Sequence, residues 1–319
     1  MRALMVFLDG IGLGPNDPDT NPFAVANTPT LNSLANGQRW LADTGRQESE
    51  RAVFLPADPR MGVPGRPQSA TGQASIFTGR NVPQLLGKHY GPKPDRATRA
   101  LLAEDNLFKQ IVSRGKDAAL LEAYPASWHR AIDSGRRLRS SYQLAAHEAG
   151  IRILDQEDLL RGDALPVDWT GEHWPRNQGR ESLPRRQPLD AGVHLVRLAQ
   201  RHAFSLFAHW PSDVIGHRGT LEEAVSLLER FDEVMAGVLE AWDDNDGMVI
   251  ICSDHGNMEH IGDRRHTLND VPVVVIGKGR ESFDKGFRSL ADIAPRICDA
   301  LLAPETKQAR APAKEAGRN

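Results

Sequence analysis

Asp254 and His255 stand together after an unbroken apolar run, Met248-Val249-Ile250-Ile251-Cys252. Carboxylate and imidazole are ligands for divalent ions such as zinc and manganese. The same pairing recurs elsewhere. Asp213 and His217 lie four residues apart, just after the apolar segment Phe204–Ala208. Asp9 follows the apolar run Ala3-Leu4-Met5-Val6-Phe7-Leu8. His266 comes eleven residues after His255 and precedes Val273-Val274-Val275-Ile276. Three carboxylates and three imidazoles make two sites of three ligands, each with positions open for a nucleophile and a substrate. That is the composition of a two-metal phosphoryl-transfer centre.

The elements that must position these residues are legible as runs. Ala3–Leu8, Phe204–Ala208 and Met248–Cys252 have the length and composition of strands buried on both faces. Strand and helix signals alternate along the core, which predicts an α/β fold with a mostly parallel sheet and helices on both faces. In such a sheet the C-terminal strand ends lie on one edge, where ligands bind. Asp9, Asp213 and Asp254 would meet there.

Two other motifs invite chemistry and are set aside. Asp9-Gly10-Ile11-Gly12-Leu13-Gly14 has the wrong spacing for a dinucleotide loop, and Pro15 interrupts any helix after it. Asp243-Asp244-Asn245-Asp246-Gly247 lacks the ligand spacing and closing Glu of a calcium loop and reads as a turn.

The segment from Pro67 to Arg80 crowds small residues at its start. It reads either as a plain helix capped by Ser69 or Thr71, or as a helix N-terminus that presents a hydroxyl nucleophile to a phosphate. Thr28-Pro29 predicts a helix start, with Thr28 as cap and Gly37 as stop. Residues 43–68 read as loop with a short strand at Ala52–Leu55. Glu104–Ser113 reads as a helix, Ala118–Ala123 as a strand, Ala191–Gln200 as a helix, and Trp210–Arg218 as a loop. Thr220 and Glu223 predict a capping box that opens a long amphipathic helix. Ala291–Leu302 reads as a final helix, and the tail from 303 to 319 as disordered.

Between 126 and 189 the apolar runs thin out, and the segment carries ten Arg and no Lys. Acidic residues nearly balance them. The Arg residues gather at Arg130-Arg136-Arg137-Arg139 and at Arg176-Arg180-Arg185-Arg186. They are either a solvated face with ion pairs or a cap that lends guanidinium forks to an anionic substrate. The expected organisation is a core from 1–125 and 190–302, with 126–189 as an inserted cap.

The 319 residues are 40% hydrophobic and 25% charged, with a formal net charge of -3. No basic excess or aromatic-basic interleaving points to nucleic acid. No run reaches membrane-spanning length, and the N-terminus is a poor signal peptide. Cys252 and Cys298 fall inside a predicted strand and helix, so they read as core thiols. A cytoplasmic location is expected.

Five motifs together resemble the alkaline phosphatase superfamily. They are Asp9-Gly10, the Ser69 segment, Asp213-x-x-Gly216-His217, Asp254-His255-Gly256-Asn257, and His266-Thr267-x-Asn269-x-Val271-Pro272. Their order is the family's order. The branch most resembled is cofactor-independent phosphoglycerate mutase, with phosphopentomutase next. Asn21-Pro22-Phe23-Ala24-Val25-Ala26-Asn27-Thr28-Pro29-Thr30 is also similar to the mutase's early segment. The resemblance implies that Asp9, Asp254 and His255 hold one metal, and that Asp213, His217 and His266 hold the other. Both ions would be manganese or zinc. It implies Ser69 as nucleophile and metal-touching residue, and a phosphoserine intermediate formed from a small phosphorylated substrate.

The chain also departs from the mutase pattern. Gln73 stands where the mutases carry His after the Gly of the nucleophile segment. Only 126–189 is available where phosphoglycerate mutase inserts a much larger domain. The leading expectation is hydrolysis of a small phosphate mono- or diester. The rivals are a phosphoglycerate mutase with a reduced cap, and a non-catalytic metal-binding scaffold.

Overall fold

The computed structural model describes residues 1–174, 185–284 and 286–302. Arg176, Arg180 and the tail expected to be disordered lie outside the described residues. The strands, in chain order, are β1 (Arg2–Leu8), β2 (Gln47–Glu48), β3 (Ala52–Ala57), β4 (Ala118–Leu120), β5 (Glu122–Ala123), β6 (Leu165–Pro166), β7 (Phe204–His209), β8 (Gly247–Cys252) and β9 (Val271–Gly277). Seven form one mixed sheet in the order β2-β3-β9-β8-β1-β7-β4. Its centre is parallel: β1 pairs with β8 on one side and β7 on the other, and β4 pairs with β7. On the other side β9 runs antiparallel to β8 and β3 antiparallel to β9. β5 and β6 form a separate two-stranded parallel sheet.

β1 shows why its run is apolar throughout. Leu4, Val6 and Leu8 enter one core, and Ala3, Met5 and Phe7 enter the other. Side chains alternate along a strand, so a strand covered on both faces needs apolar residues at every position. The first core is closed by the helices Pro188–Ala199 and Leu221–Ala241, which pack against each other. The second is closed by helices that include Ser69–Thr78, Leu107–Val112, Ser141–Glu148 and Ile293–Leu302.

Several local expectations hold. The capping box is present: Thr220 Oγ1 accepts from the Glu223 amide at 3.3 Å, and Glu223 Oε2 accepts from the Thr220 amide at 2.8 Å. Both cysteines are free and buried.

Others are corrected. Trp210–Arg218 is no loop, because Pro211–Arg218 forms a helix with Pro at its first position. Glu104–Ser113 is split between the helices Arg96–Glu104 and Leu107–Val112. Asp105 is extended there, and Asn106 starts the second helix by accepting from the Lys109 amide at 3.1 Å. Ala118–Ala123 divides between two sheets. Thr28 precedes the helix Pro29–Leu34 but makes no side-chain cap. Within the segment expected as a cap, the helix Ser141–Glu148 packs on Ser69–Thr78 and sends Tyr142 and Ala145 into the second core. Among the described residues, no helix is long and apolar enough to cross a membrane.

Candidate active site

Three adjacent parallel strands, β8, β1 and β7, deliver the three carboxylates to one sheet edge. Asp9 follows β1, Asp254 follows β8, and Asp213 lies in the first turn of the helix after β7. His266 reaches the same edge by the opposite route. It precedes β9, and β9 is antiparallel to β8, so the start of β9 lies beside the end of β8. The helix Pro211–Arg218 places Asp213 and His217 one turn apart on one face. Ser212 anchors that helix by donating from Oγ to the Asp9 carbonyl at 2.6 Å.

The ligand atoms fall into two groups, each within 4.8 Å of one another: Asp213, His217 and His266, and Asp9, Asp213 and His255. The first matches the expected set. In the second, Asp213 takes the place expected of Asp254. Asp254 stands beside it, fully buried, with Oδ2 3.7 Å from His255 Nε2.

The residues present fit divalent cations, for three reasons. The first is the histidine tautomers. His217 Nδ1 lies 2.7 Å from the Arg264 carbonyl and His266 Nδ1 lies 2.7 Å from the Pro67 carbonyl. A carbonyl only accepts, so each Nδ1 carries a proton, which leaves Nε2 as the ligand atom of each ring. These two Nε2 atoms face each other at 3.2 Å. The two nitrogens converge on one point, where a cation would take a lone pair from each. Orientation of a metal-binding imidazole through its other nitrogen is the usual arrangement.

The second reason is charge. Asp254 is pushed well above the ordinary carboxylate range by burial and by the negative charge of Asp9. Asp9 is raised by burial and by Asp213, against an opposing contact from His255. Burial alone would depress His255, but Asp254 and Asp9 outweigh it and push its imidazole up to about 10. His266 goes the other way, down to about 3, through burial and the neighbouring His255 charge. The niche therefore holds a proton on His255 where a divalent ion would do the same neutralising work. The third reason is Asp9 Oδ1. It is buried with no hydrogen-bond donor aligned on it, and His255 Nε2 stands 3.3 Å away.

Ser69 is the first residue of the Ser69–Thr78 helix, after an extended Gln68. It is not the cap. Its Oγ lies 2.9 Å from His255 Nε2, and the amides of the helix's first turn have no intrahelical acceptor. Thr71 faces elsewhere: its hydroxyl donates to the carbonyls of Gln68 at 3.2 Å and Tyr90 at 3.3 Å. A Cβ on Gly72 would sit 2.8 Å from the Asp254 carbonyl oxygen, so this helix can rest on the Asp254 turn only because residue 72 has no side chain.

Sequence reasoning assigned no role to four residues that organise this site. Glu259 is fully buried and accepts from the amides of Gly12 at 3.0 Å and Asn257 at 2.7 Å, from Asn269 Nδ2 at 3.0 Å, and from the Thr267 hydroxyl. It ties three loops together. Asn257 Nδ2 donates to Asp213 Oδ1 at 2.8 Å. Gln73 Nε2 donates to Asp9 and Asp254. Lys93 lines a cavity of about 150 Å³ together with Asp9, Ser69, Gln73 and Arg137. Burial and the nearby Arg137 guanidinium hold its amine below the usual lysine range. Among the described residues no carboxylate pairs with Lys93 or Arg137. Arg137 belongs to the first of the two Arg clusters noted in the sequence.

The geometry agrees with solved structures across nearly the whole chain. PH0037 protein from Pyrococcus horikoshii superposes with a TM-score of 0.54 at 17% identity, covering 95% of this chain and 97% of that one. Alkaline phosphatase from the Antarctic bacterium TAB5 gives 0.53 at 14%, covering 94% and 98%. The fold is alkaline phosphatase-like. A Leishmania mexicana phosphoglycerate mutase shares it, with a TM-score of 0.51 at 12% identity over 96% of both chains. At such identities the likeness is one of fold.

Sequence comparison adds to it. Residues 193–305 of this alkaline phosphatase-like chain match the Metalloenzyme superfamily model. The 2,3-bisphosphoglycerate-independent phosphoglycerate mutase of Desulforudis audaxviator is 37% identical over 99 residues, 29% of this chain and 19% of that protein. The enzyme of the same description from Acetivibrio thermocellus is 38% identical over 103 residues, 30% of this chain and 20% of that protein. The chain thus spans about a fifth of the length of the curated relatives it matches.

Proposed function

We propose that this chain is a metal-dependent phosphoryl-transfer enzyme that hydrolyses a phosphate ester through a phosphoserine on Ser69. The observation that carries this reading is the 2.9 Å approach of Ser69 Oγ to His255 Nε2, with Asp9 and Asp213 completing one ligand group and a second group sharing Asp213. In this reading Asp9, Asp213 and His255, with Asp254 beside them, hold one divalent ion, and Asp213, His217 and His266 hold the other. Manganese and zinc both suit this donor set. Bound ions would lower the pKa of the serine hydroxyl and offset charge on the phosphoryl oxygens.

The chain's own groups do the rest. Lys93 and Arg137 attract the phosphate dianion into the small cavity and hold its oxygens. Ser69 Oγ gives up its proton to solvent and bonds to phosphorus as the P–O bond to the alcohol breaks, and the alcohol leaves with that electron pair and takes up a proton from solvent. Water then attacks phosphorus, the P–Oγ bond breaks, and Ser69 regains its proton. A scaffold role fits poorly with a hydroxyl placed against the ligand groups.

The test is phosphate release together with mass spectrometry of enzyme quenched during turnover. Inorganic phosphate should accumulate in step with the alcohol, with phosphate trapped on Ser69. A phosphomutase is the second reading, favoured by the mutase relatives. Incubation with 3-phosphoglycerate decides: conversion to 2-phosphoglycerate with little free phosphate would replace hydrolysis with the mutase reaction.

A further inference from the structure

A second, much larger cavity of about 960 Å³ opens beside the phosphoryl site. It shares Tyr124, Arg137, Trp210 and Val214 with the small cavity that contains Ser69, so the two lie against each other. Its size is at the upper end of small-ligand pockets. A phosphoryl group fills only the small cavity, and a three-carbon acid would leave the large one empty.

The chemistry of its wall is apolar and aromatic. Trp128, Trp174 and Trp210 contribute rings, and Val167, Ile215 and Leu227 contribute aliphatic surface. Trp128 is fixed in place by stacking on Tyr124, with ring centroids 4.4 Å apart and planes 29° apart. Val214 is one of the few large apolar residues exposed on this molecule, at 44%, and it stands where the two cavities join. The charged residues of the wall are mostly satisfied internally. Arg230 pairs with Glu172 at 3.0 Å. Asp168 accepts from the amides of Gly171 at 3.0 Å and His173 at 2.7 Å. Glu223 is committed to the capping box. Arg137, at the junction, has no carboxylate partner among the described residues.

We infer that the substrate is a phosphomonoester of a bulky, aromatic alcohol. Its phosphate sits at Ser69 between Lys93 and Arg137, and its ring system occupies the tryptophan-lined cavity. Aromatic rings gain from burial against indole faces, and an apolar wall offers nothing to a small polyanion. This inference rests on the phosphoryl-transfer reading for the position of the phosphate. It differs from that reading in what it says of the alcohol.

The test separates the two by measuring binding apart from turnover. Metal-loaded enzyme is titrated with ethylphosphonate and with 2-(2-naphthyl)ethylphosphonate, which carry the same head group and cannot be hydrolysed. The naphthyl compound should bind roughly 50-fold tighter and quench tryptophan fluorescence. Ser226 lines the same cavity from the exposed face of the helix Leu221–Ala241. Ser226→Trp should fill the cavity and bring the affinity ratio toward one, and its exposed position makes it compatible with folding. Equal affinities of the two phosphonates for wild-type enzyme would overturn the inference, even where ethyl phosphate is turned over. A strong naphthyl preference that Ser226→Trp removes would support it, even where no ester is hydrolysed and the catalytic reading fails. A preference unchanged in Ser226→Trp would place the ring elsewhere and overturn it.

Discussion

Gln73 Nε2 donates to Asp254 Oδ2 across 3.1 Å in the buried floor of the site. The same nitrogen reaches Asp9 Oδ2 at 3.2 Å, so one neutral amide serves two carboxylates. An imidazolium at this position would add a positive charge where the proposed metals already supply it. The amide orients both carboxylates without competing for them.

Gln73→Leu keeps the volume and removes the donor. Removal of such outer-shell partners costs about 10- to 100-fold in metal affinity. The expected result is a drop of that size in manganese or zinc affinity by calorimetry, with the far-ultraviolet circular dichroism unchanged. Wild-type affinity in this variant would show that the carboxylates are held by other means.

Gly216 sets two effects against each other. Alanine in place of a helical glycine is worth about 1 kcal/mol of propensity. Here, however, a Cβ would lie 2.6 Å from Cγ of Asn257, whose amide donates to Asp213 at 2.8 Å. Displacing Asn257 releases Asp213, which belongs to both ligand groups. The steric loss should win. Gly216→Ala is expected to lower the melting temperature and weaken metal binding by at least about tenfold. A stabilised variant with intact metal binding would mean that Asn257 can move aside freely.

Glu122 gives a pH dependence away from the metal ligands. It is fully buried, and burial raises its carboxyl to about 8 against contacts from the Ala208 amide at 3.2 Å and the Tyr124 hydroxyl at 3.1 Å. The unfolded value is 4.5. The folded state therefore holds a proton that the unfolded chain releases between these values. Stability from this group is complete below pH about 4.5 and is lost as pH rises through about 8. Glu122→Gln cannot ionise, so its stability relative to wild type should improve across that window, by on the order of a few kcal/mol. Denaturant midpoints at pH 5 and pH 9 measure it. A constant difference between the two proteins would show that Glu122 is ionised in the folded state throughout.

The sequence made the carriers of the site legible and left its joints obscure. Apolar runs announced β1, β7 and β8, because strands covered on both faces must be apolar at every position, and their ends carried Asp9, Asp213 and Asp254. The direction of β9 was not readable, since a run of valines looks the same either way. Pro211–Arg218 hid as a loop because it is two turns long, contains Gly216 and has no apolar period. It is held by tertiary contacts such as Ser212 to the Asp9 carbonyl. Glu259 looked like one more acidic residue. Its partners, Gly12 and Asn269 among them, come from loops far apart in the chain, and no local pattern marks such a hub. The large aromatic cavity was equally hidden, because Trp128, Trp174 and Trp210 come from three separate segments.

Ser69 and Thr71 can be told apart by pairing two variants. Both are hydroxyls in the first turn of one helix, and the sequence left either open as a cap. In the structure Ser69 Oγ turns to His255 at 2.9 Å. Thr71 Oγ1 turns away, accepting from the Tyr90 amide at 3.2 Å and donating to main-chain carbonyls. Ser69→Ala should therefore abolish phosphoryl-enzyme formation and lower the rate by several orders of magnitude, while leaving metal content and melting temperature close to wild type. Thr71→Val should do the reverse. It leaves the half-buried Tyr90 amide without that acceptor, a loss of about 1 kcal/mol, yet it keeps the nucleophile. Rapid-quench labelling with a phosphate ester, run beside thermal melts of both variants, reads the two effects separately. Phosphate trapped in Ser69→Ala, or a catalytically dead Thr71→Val that melts like wild type, would reverse the assignment.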